Sequence, residues 1–478
     1  MKLSNKVYLN VFYSMIGVIF NMIIPIVVFP YVTRVLGVDG IGKYSFYSSA
    51  LTYAALFTGF GIALYGSREI GKCVNNIQLR SQKLFELFVF NLMTVSLAAI
   101  LVFYFAFFSS YSSDCLIILL FSLTLLTNAI GAEWFFVGIE SQGFMLVRNV
   151  IIKTLSTILI FLLVKEPEHL VRYVAITVFS MAGSSLTNIY FWVKLSDFKN
   201  IKKISLKKYI IPLSSIFSIE VLLRYLGLGD VVILGILAGD NAVGIYSMGL
   251  KVFLLVSAIM KVTATTLMPR SAYYLEQEDT EHFNLLFNNT VRLLFLFGMP
   301  ISACMFLFAE PVISILGGAQ FIGAVGLMKE MSLLLVLSVI VNTYVFQALY
   351  PKNKIKSIII AHIGGVIVNF ILNILLVPYF SYHGTFIAFS VSNIVIAVVL
   401  LCKEFHFVKS SFCFKKNINY LYATVISVIF AILIRETVQN EVLMWLLMFL
   451  VFFLTYLVSL KVLKDDIYLK IIKSIVKK

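Results

Sequence analysis

Long apolar stretches, each closed by a short polar or basic segment, recur along the whole chain. A helix needs roughly 17–25 apolar residues to cross a bilayer. That pattern predicts crossings over residues 9–32, 44–66, 84–108, 115–137, 149–164, 170–193, 210–237, 243–268, 290–309, 327–350, 357–378, 384–402, 418–435 and 441–462. The fold class expected is an all-α polytopic membrane protein with about fourteen transmembrane helices. An even number of crossings returns both termini to the same side of the membrane.

A second pattern lies between the spans. Leu36-Gly37-Val38-Asp39-Gly40-Ile41-Gly42-Lys43-Tyr44-Ser45 follows the first span, and Leu237-Ala238-Gly239-Asp240-Asn241-Ala242-Val243-Gly244-Ile245-Tyr246-Ser247 follows the seventh. Leu, Asp, Gly, Tyr and Ser recur about 201–202 residues apart, between equivalent helices, as in transporters built from repeated halves. Two ordinary Gly-Asp turns would also give such a match. The repeat predicts a six-helix bundle over 1–193, a basic cytoplasmic linker over 194–209, and a second six-helix bundle over 210–402. Residues 403–478 supply two additional helices and a basic cytoplasmic tail.

Composition excludes a water-soluble globule. The chain is 60% hydrophobic and 13% charged, with a mean hydropathy of +0.98, whereas soluble domains carry about 25% charged residues. The net charge of +15 sits largely in alternate short loops: Arg68, Lys72, Arg80 and Lys83; Arg148; Lys194 to Lys208; Lys352, Lys354 and Lys356; Lys403, Lys409, Lys415 and Lys416; and the tail from Lys461. The opposite loops hold only Arg34, Lys43, Lys165, Arg172, Lys329 and Arg435. The positive-inside rule then makes the first set, and both termini, cytoplasmic. The acidic loop near 270–289 dissents, but acidic residues count little in that rule. The partner implied by this charge is an anionic membrane face, not nucleic acid. Residues 1–10 form a short basic lead into a span too long for the core of a cleavable signal peptide. Five scattered cysteines show no metal-ligand spacing and are expected to be small core residues, so no metal and no cofactor is expected. No GxxxxGK[ST], HExxH or GxSxG motif occurs, and the short outer loops leave little room for an extramembrane catalytic domain.

Several segments resemble a known family. Pro30-Tyr31-Val32-Thr33-Arg34-Val35-Leu36-Gly37-Val38-Asp39-Gly40-Ile41-Gly42 is similar to the first-loop signature of Wzx-type O-antigen and capsule flippases. Tyr65-Gly66-Ser67-Arg68-Glu69-Ile70-Gly71, Glu133-Trp134-Phe135-Phe136-Val137-Gly138-Ile139-Glu140, Asp230-Val231-Val232-Ile233-Leu234-Gly235 and Gly244-Ile245-Tyr246-Ser247 resemble other parts of that pattern. The likeness covers the first two-thirds of the chain closely and the rest by topology. It implies the multidrug/oligosaccharidyl-lipid/polysaccharide (MOP) exporter superfamily, in which two six-helix bundles work a central cavity by alternating access. The resemblance also implies the bacterial cytoplasmic (inner) membrane, an undecaprenyl-pyrophosphate-linked oligosaccharide as cargo, membrane lipids as surroundings, and a polymerase and chain-length regulator as partners. A cation-coupled multidrug exporter of the same superfamily is the alternative. A polytopic O-antigen polymerase, which is an enzyme, is disfavoured by the short outer loops, and a lipid II flippase is a near relative.

Such a cargo joins a pyrophosphate, a polar glycan and a long apolar tail, so charges inside spans are the informative positions. Glu220 and Arg224 in span seven are four residues apart and share a helix face. Asp230 lies nearer the outer end, beyond Gly227 and Gly229, which can loosen the helix, and Lys251 in span eight reaches a similar depth. One reading makes Arg224 and Lys251 a pyrophosphate site, with Glu220 or Asp230 as the coupling group. The other makes Glu220–Arg224 and Asp230–Lys251 internal ion pairs. Arg34 and Asp39 flank the outer mouth after a span containing Pro25 and Pro30, while Arg68 and Glu133 lie at inner ends. These four are gate candidates or interfacial anchors. Lys261 and Arg292 are expected to snorkel to the headgroups. His362, Asn369 and Asn373 give span eleven a polar face, for glycan contacts or for helix–helix hydrogen bonds.

Overall fold

The computed structural model describes residues 5–198, 201, 204–403 and 414–469, and every regular element among them is helical. In chain order these are α1 (Asn5–Gly59), α2 (Ile62–Gly71), α3 (Ile77–Phe108), α4 (Cys115–Gly131), α5 (Glu133–Gly138), α6 (Gln142–Leu163) and α7 (Leu170–Lys194). There follow α8 (Lys207–Glu276), α9 (Thr280–Leu307), α10 (Ala309–Gly317), α11 (Gly323–Thr343), which runs into a π-helical turn at Tyr344–Leu349, α12 (Ile355–Lys403), α13 (Phe414–Thr437) and α14 (Glu441–Val462). In hydrocarbon no water can satisfy a free backbone group, so a chain this apolar has helices as its way across.

Eleven helices among the described residues are long and apolar enough to cross a membrane. Three of them, of 41, 70 and 49 residues, are far longer than a crossing of about 20 residues. Each contains a break: α1 at Gly37, α8 at Leu226–Gly227 and again at Gly239, and α12 at Ser381. Divided at Gly37, Gly239 and Ser381, they give fourteen segments, in line with the about fourteen crossings read from the pattern. Pro25 and Pro30 lie within α1, yet its non-helical dihedrals fall at Gly37.

The chain forms two compact units, Met1–Ser247 with Leu316–Gln320, and Met248–Ile315 with Phe321–Lys478. In the first unit the short helices α2 and α5 pack together, each after a left-handed residue, Gly61 (φ 76°) and Ala132 (φ 41°). The indole of Trp134 covers Gly66 and the side chain of Ile70 covers Gly138 so closely that a methyl group on either glycine would collide. The described part of the 194–209 segment is stitched to α3. Arg80 Nη2 donates to the Leu195 carbonyl (2.6 Å), Ser81 Oγ accepts from the Asp197 N–H (2.9 Å), and the buried Glu86 accepts from Tyr209 Oη (2.6 Å) and pairs with Lys208 (2.7 Å). Those bonds explain why α3 begins before the predicted span: its polar first turns bind backbone instead of water.

In the second unit α13 and α14 form a hairpin, with α13 packed on α9. Tyr456 Oη donates to the Leu296 carbonyl at 2.7 Å. Arg292, expected to snorkel, is instead buried and held by Asp465 (2.8 Å) and Asp466. Arg148, read as a loop cation, is likewise buried in the first unit, bonded to Asn188 and to Glu133 (3.0 Å). In both cases a carboxylate within reach removes the need to seek headgroups. The basic positions Lys199, Lys202, Lys203, Lys409 and 470–478 lie outside the described residues.

Candidate functional site

Span seven is broken where its charges cluster. Leu226 (ψ 124°) and Gly227 (φ 97°) leave helical geometry, and the left-handed angle at Gly227 is one that a glycine adopts without a Cβ penalty. The fully buried Asp230 accepts the Gly227 N–H at 2.9 Å. Its carboxylate thus replaces the helical carbonyl that this N–H has lost.

Just before the break, Glu220 and Arg224 line a cavity of about 310 Å³ within the first unit. Its wall also carries Ser48 and Thr52 from α1 and Thr124 and Asn128 from α4. Gly59 and Gly61 border it where the second span is itself interrupted, at Phe60 (φ 44°) and Gly61 (φ 76°). Two discontinuous helices therefore meet one pocket of mixed polar and apolar lining, an arrangement typical of transporter binding sites. Aromatic rings stand beside it: Phe217 stacks on Phe60 at 4.6 Å and meets Phe57 edge-on at 5.2 Å, while Tyr53 faces Tyr225 at 6.3 Å.

Glu220 and Arg224 share a face as the spacing requires, but they form no ion pair with each other, and Arg224 is exposed. Among the described residues neither side chain has a hydrogen-bond or ion-pair partner. The internal Glu220–Arg224 pair is thus absent. Lys251 is partly buried and belongs to the second unit, near its start. The polar pairs Ser48/Thr52 and Thr124/Asn128 were missed in the sequence, although each lies one helical turn apart in an otherwise apolar span.

The remaining candidates are placed as follows. Arg34 is exposed on α1, with its stem beside Gly318. Asp39 is exposed and accepts from Asn241 Nδ2 at 2.9 Å, so the two repeat segments touch. Arg68 is exposed on α2 next to Glu69, which binds Lys72 and Lys83 (2.7 Å). Burial pushes the Glu69 carboxyl up, but the two ammonium groups outweigh it and hold the group below the usual carboxylate range. Glu133 is exposed yet tied to Arg148. In the second unit, Asn369 and Asn373 are fully buried, and Asn373 Nδ2 donates to the Asn369 carbonyl and side chain at 3.0 Å. His362 Nδ1 lies 2.8 Å from the Ile358 carbonyl. Lys261 is partly buried on α8. Among the described residues no group of His, Cys, Asp and Glu is placed to hold a metal ion.

Comparison with known proteins fits this architecture. The profile of the family described as "Polysaccharide biosynthesis protein" matches residues 7–275, and the MatE profile matches residues 216–375. A candidate O-antigen transporter of Shigella dysenteriae is 24% identical over 80% of this chain and 96% of its own length. Another from Escherichia coli (strain K12) is 21% identical over 83% of this chain and 97% of its own. Among solved structures, the lipid II flippase MurJ in its inward closed conformation superposes with a TM-score of 0.73 at 16% identity, covering 96% of this chain and 99% of that one. An inward-facing multidrug resistance MATE transporter of the MOP superfamily gives a TM-score of 0.62 at 14% identity, over 82% of this chain and 95% of that one. The profile that matches 7–275 spans more than half of the sequence. This multi-pass membrane protein therefore belongs to the polysaccharide biosynthesis protein family.

Proposed function

We propose that this transporter is a flippase that moves an undecaprenyl-pyrophosphate-linked oligosaccharide repeat unit from the cytoplasmic to the outer leaflet. The observation that carries the reading is the pocket in which Arg224 and Glu220 stand without side-chain partners. An ionisable group inside a span costs several kcal/mol unless it faces water, a partner or a ligand. A guanidinium offers paired donors that match phosphate oxygens. In this reading Arg224, with Lys251, receives the pyrophosphate, and Glu220 or Asp230 takes the coupling charge. The polar wall and adjacent rings suit a glycan, and Asn369, Asn373 and His362 become candidate sugar contacts if span eleven opens during the cycle. Arg34, Asp39, Arg68 and Glu133 then belong to the mouths. Bundles over 1–193 and 210–402 would rock about the 194–209 linker, with both termini cytoplasmic and 403–478 as the added pair. A polymerase and chain-length regulator are the expected partners.

The second reading, a cation-coupled exporter of small molecules, draws on the MatE match, which covers both Glu220 and Arg224. There Glu220 would receive a proton or a cationic substrate.

Surface polysaccharide in a flippase-deficient bacterium separates the two. The intact chain is expected to restore it. Arg224→Ala, at equal membrane abundance, is expected to lower it about ten- to a hundredfold, the worth of one charge-assisted hydrogen-bonded contact. Arg224→Lys should recover part. If the intact chain restores no glycan tested yet confers dye efflux, the exporter reading replaces this one.

A further inference from the structure

We propose that the two repeat segments form a two-fold clasp that shuts the transporter on the side opposite the basic loops, with Gly42 and Gly244 as the residues that let it close. This rests on the alternating-access reading but not on the identity of the cargo.

Three observations within the first unit carry it. Gly37 (φ 69°, ψ −175°) and Gly239 (φ 79°, ψ −177°) adopt the same rare conformation 202 residues apart, so both segments turn alike. With the same offset, Gly42 faces Asp240 and Gly244 faces Val38. A Cβ on Gly42 would stand 1.7 Å from the Asp240 carbonyl oxygen, and one on Gly244 would stand 2.2 Å from the Val38 carbonyl oxygen. Each segment therefore presses a bare Cα against the other's backbone, the reciprocity of a two-fold contact. Finally, Asn241 Nδ2 donates to Asp39 Oδ1 at 2.9 Å, a bond between equivalent positions of the two segments.

Backbones this close make Cα–H···O contacts open only to glycine. The contact relies on shape and one exposed hydrogen bond, so water can replace what is lost when it parts. Leu36, Ile41, Ala242, Val243 and Tyr246 of the two segments are buried, whereas Asp39 and Asn241, which make the bond between them, stay exposed where water can reach them. Loop charge assigns both segments to the outer face, the face that must be sealed while cargo is taken from the cytoplasm.

The test is accessibility of the cavity from outside. Thr52→Cys on the cavity wall is labelled in cells with a membrane-impermeant maleimide, with the labelling of the parent chain subtracted. Gly42→Ala and Gly244→Ala, each in the full chain, are expected to raise that labelling about tenfold or more. Gly326→Ala, whose Cβ meets nothing within 4 Å, should leave it unchanged. Independently, Asp39→Cys with Asn241→Cys should stop transport on oxidation and release it on reduction, while each single variant does neither. Unchanged labelling in both alanine variants, or full transport through the cross-linked pair, overturns the clasp. If the alanine variants do not reach the membrane, the cysteine pair decides alone. Raised labelling and an arresting cross-link in a chain that exports dye but no glycan uphold the clasp and sink the flippase reading.

Discussion

Arg224 and Arg292 both lie in apolar helices of a membrane protein, and the structure treats them in opposite ways. In the second unit, Arg292 has only 6% of its side chain exposed, Asp465 has 2%, and the guanidinium also binds Asp466 and Tyr420 Oη. Its Nη1 and Nη2 are bonded within the protein, while its buried Nε has no hydrogen-bond partner among the described residues. In the first unit, Arg224 is open to a cavity and keeps its donors free, although a carboxylate stands one turn away. What separates them is whether the fold brings a carboxylate onto the charge. A charge so paired fixes helices together; one left unpaired leaves its bonds for a ligand.

The comparison can be broken by measurement. The largest expected effect is on Arg292→Ala, which leaves Asp465 buried without its cation and should cost about 3–5 kcal/mol of stability. Thermal unfolding of the purified protein would show it, and adding Asp465→Asn should recover part of the loss. Glu133→Gln comes next. Glu133 is 58% exposed, so solvent screens its pair with Arg148, and the loss should stay below about 1 kcal/mol. Arg148 keeps its Asn188 and Asn149 bonds in that variant. Smallest is the stability change of Arg224→Ala, within about 0.5 kcal/mol, even where its transport collapses. An unfolding shift like that of Arg292→Ala would make Arg224 a structural residue and dissolve the contrast.

Much of this was legible in the sequence, because a bilayer imposes one length and one polarity on each crossing. The spans, the weakness at Gly227, and the shared face of Glu220 and Arg224 all follow from local spacing. The repeat was visible as matching letters, but the contact between its copies was not, since no local rule tells which carbonyl lies over Gly42. Arg148 and Arg292 were misread for a related reason. Snorkelling is the default for a cation near a helix end, and the partners that cancel it for Arg292 are more than 170 residues away in the chain. Ser48, Thr52, Thr124 and Asn128 escaped notice because a hydroxyl or amide in a span reads equally well as a bond to its own helix.

The distance between Arg292 and Asp465, 173 residues, also has a meaning in time. A ribosome adds about 5–20 residues per second, so the arginine waits roughly 9 to 35 seconds for its carboxylates to be made. Until Asp465 and Asp466, just past α14, are made, the young chain holds a cation without the carboxylates that receive it. The final helices therefore act late in biogenesis as the step that closes the second unit, and a chain stalled before them is marked by an unclaimed charge.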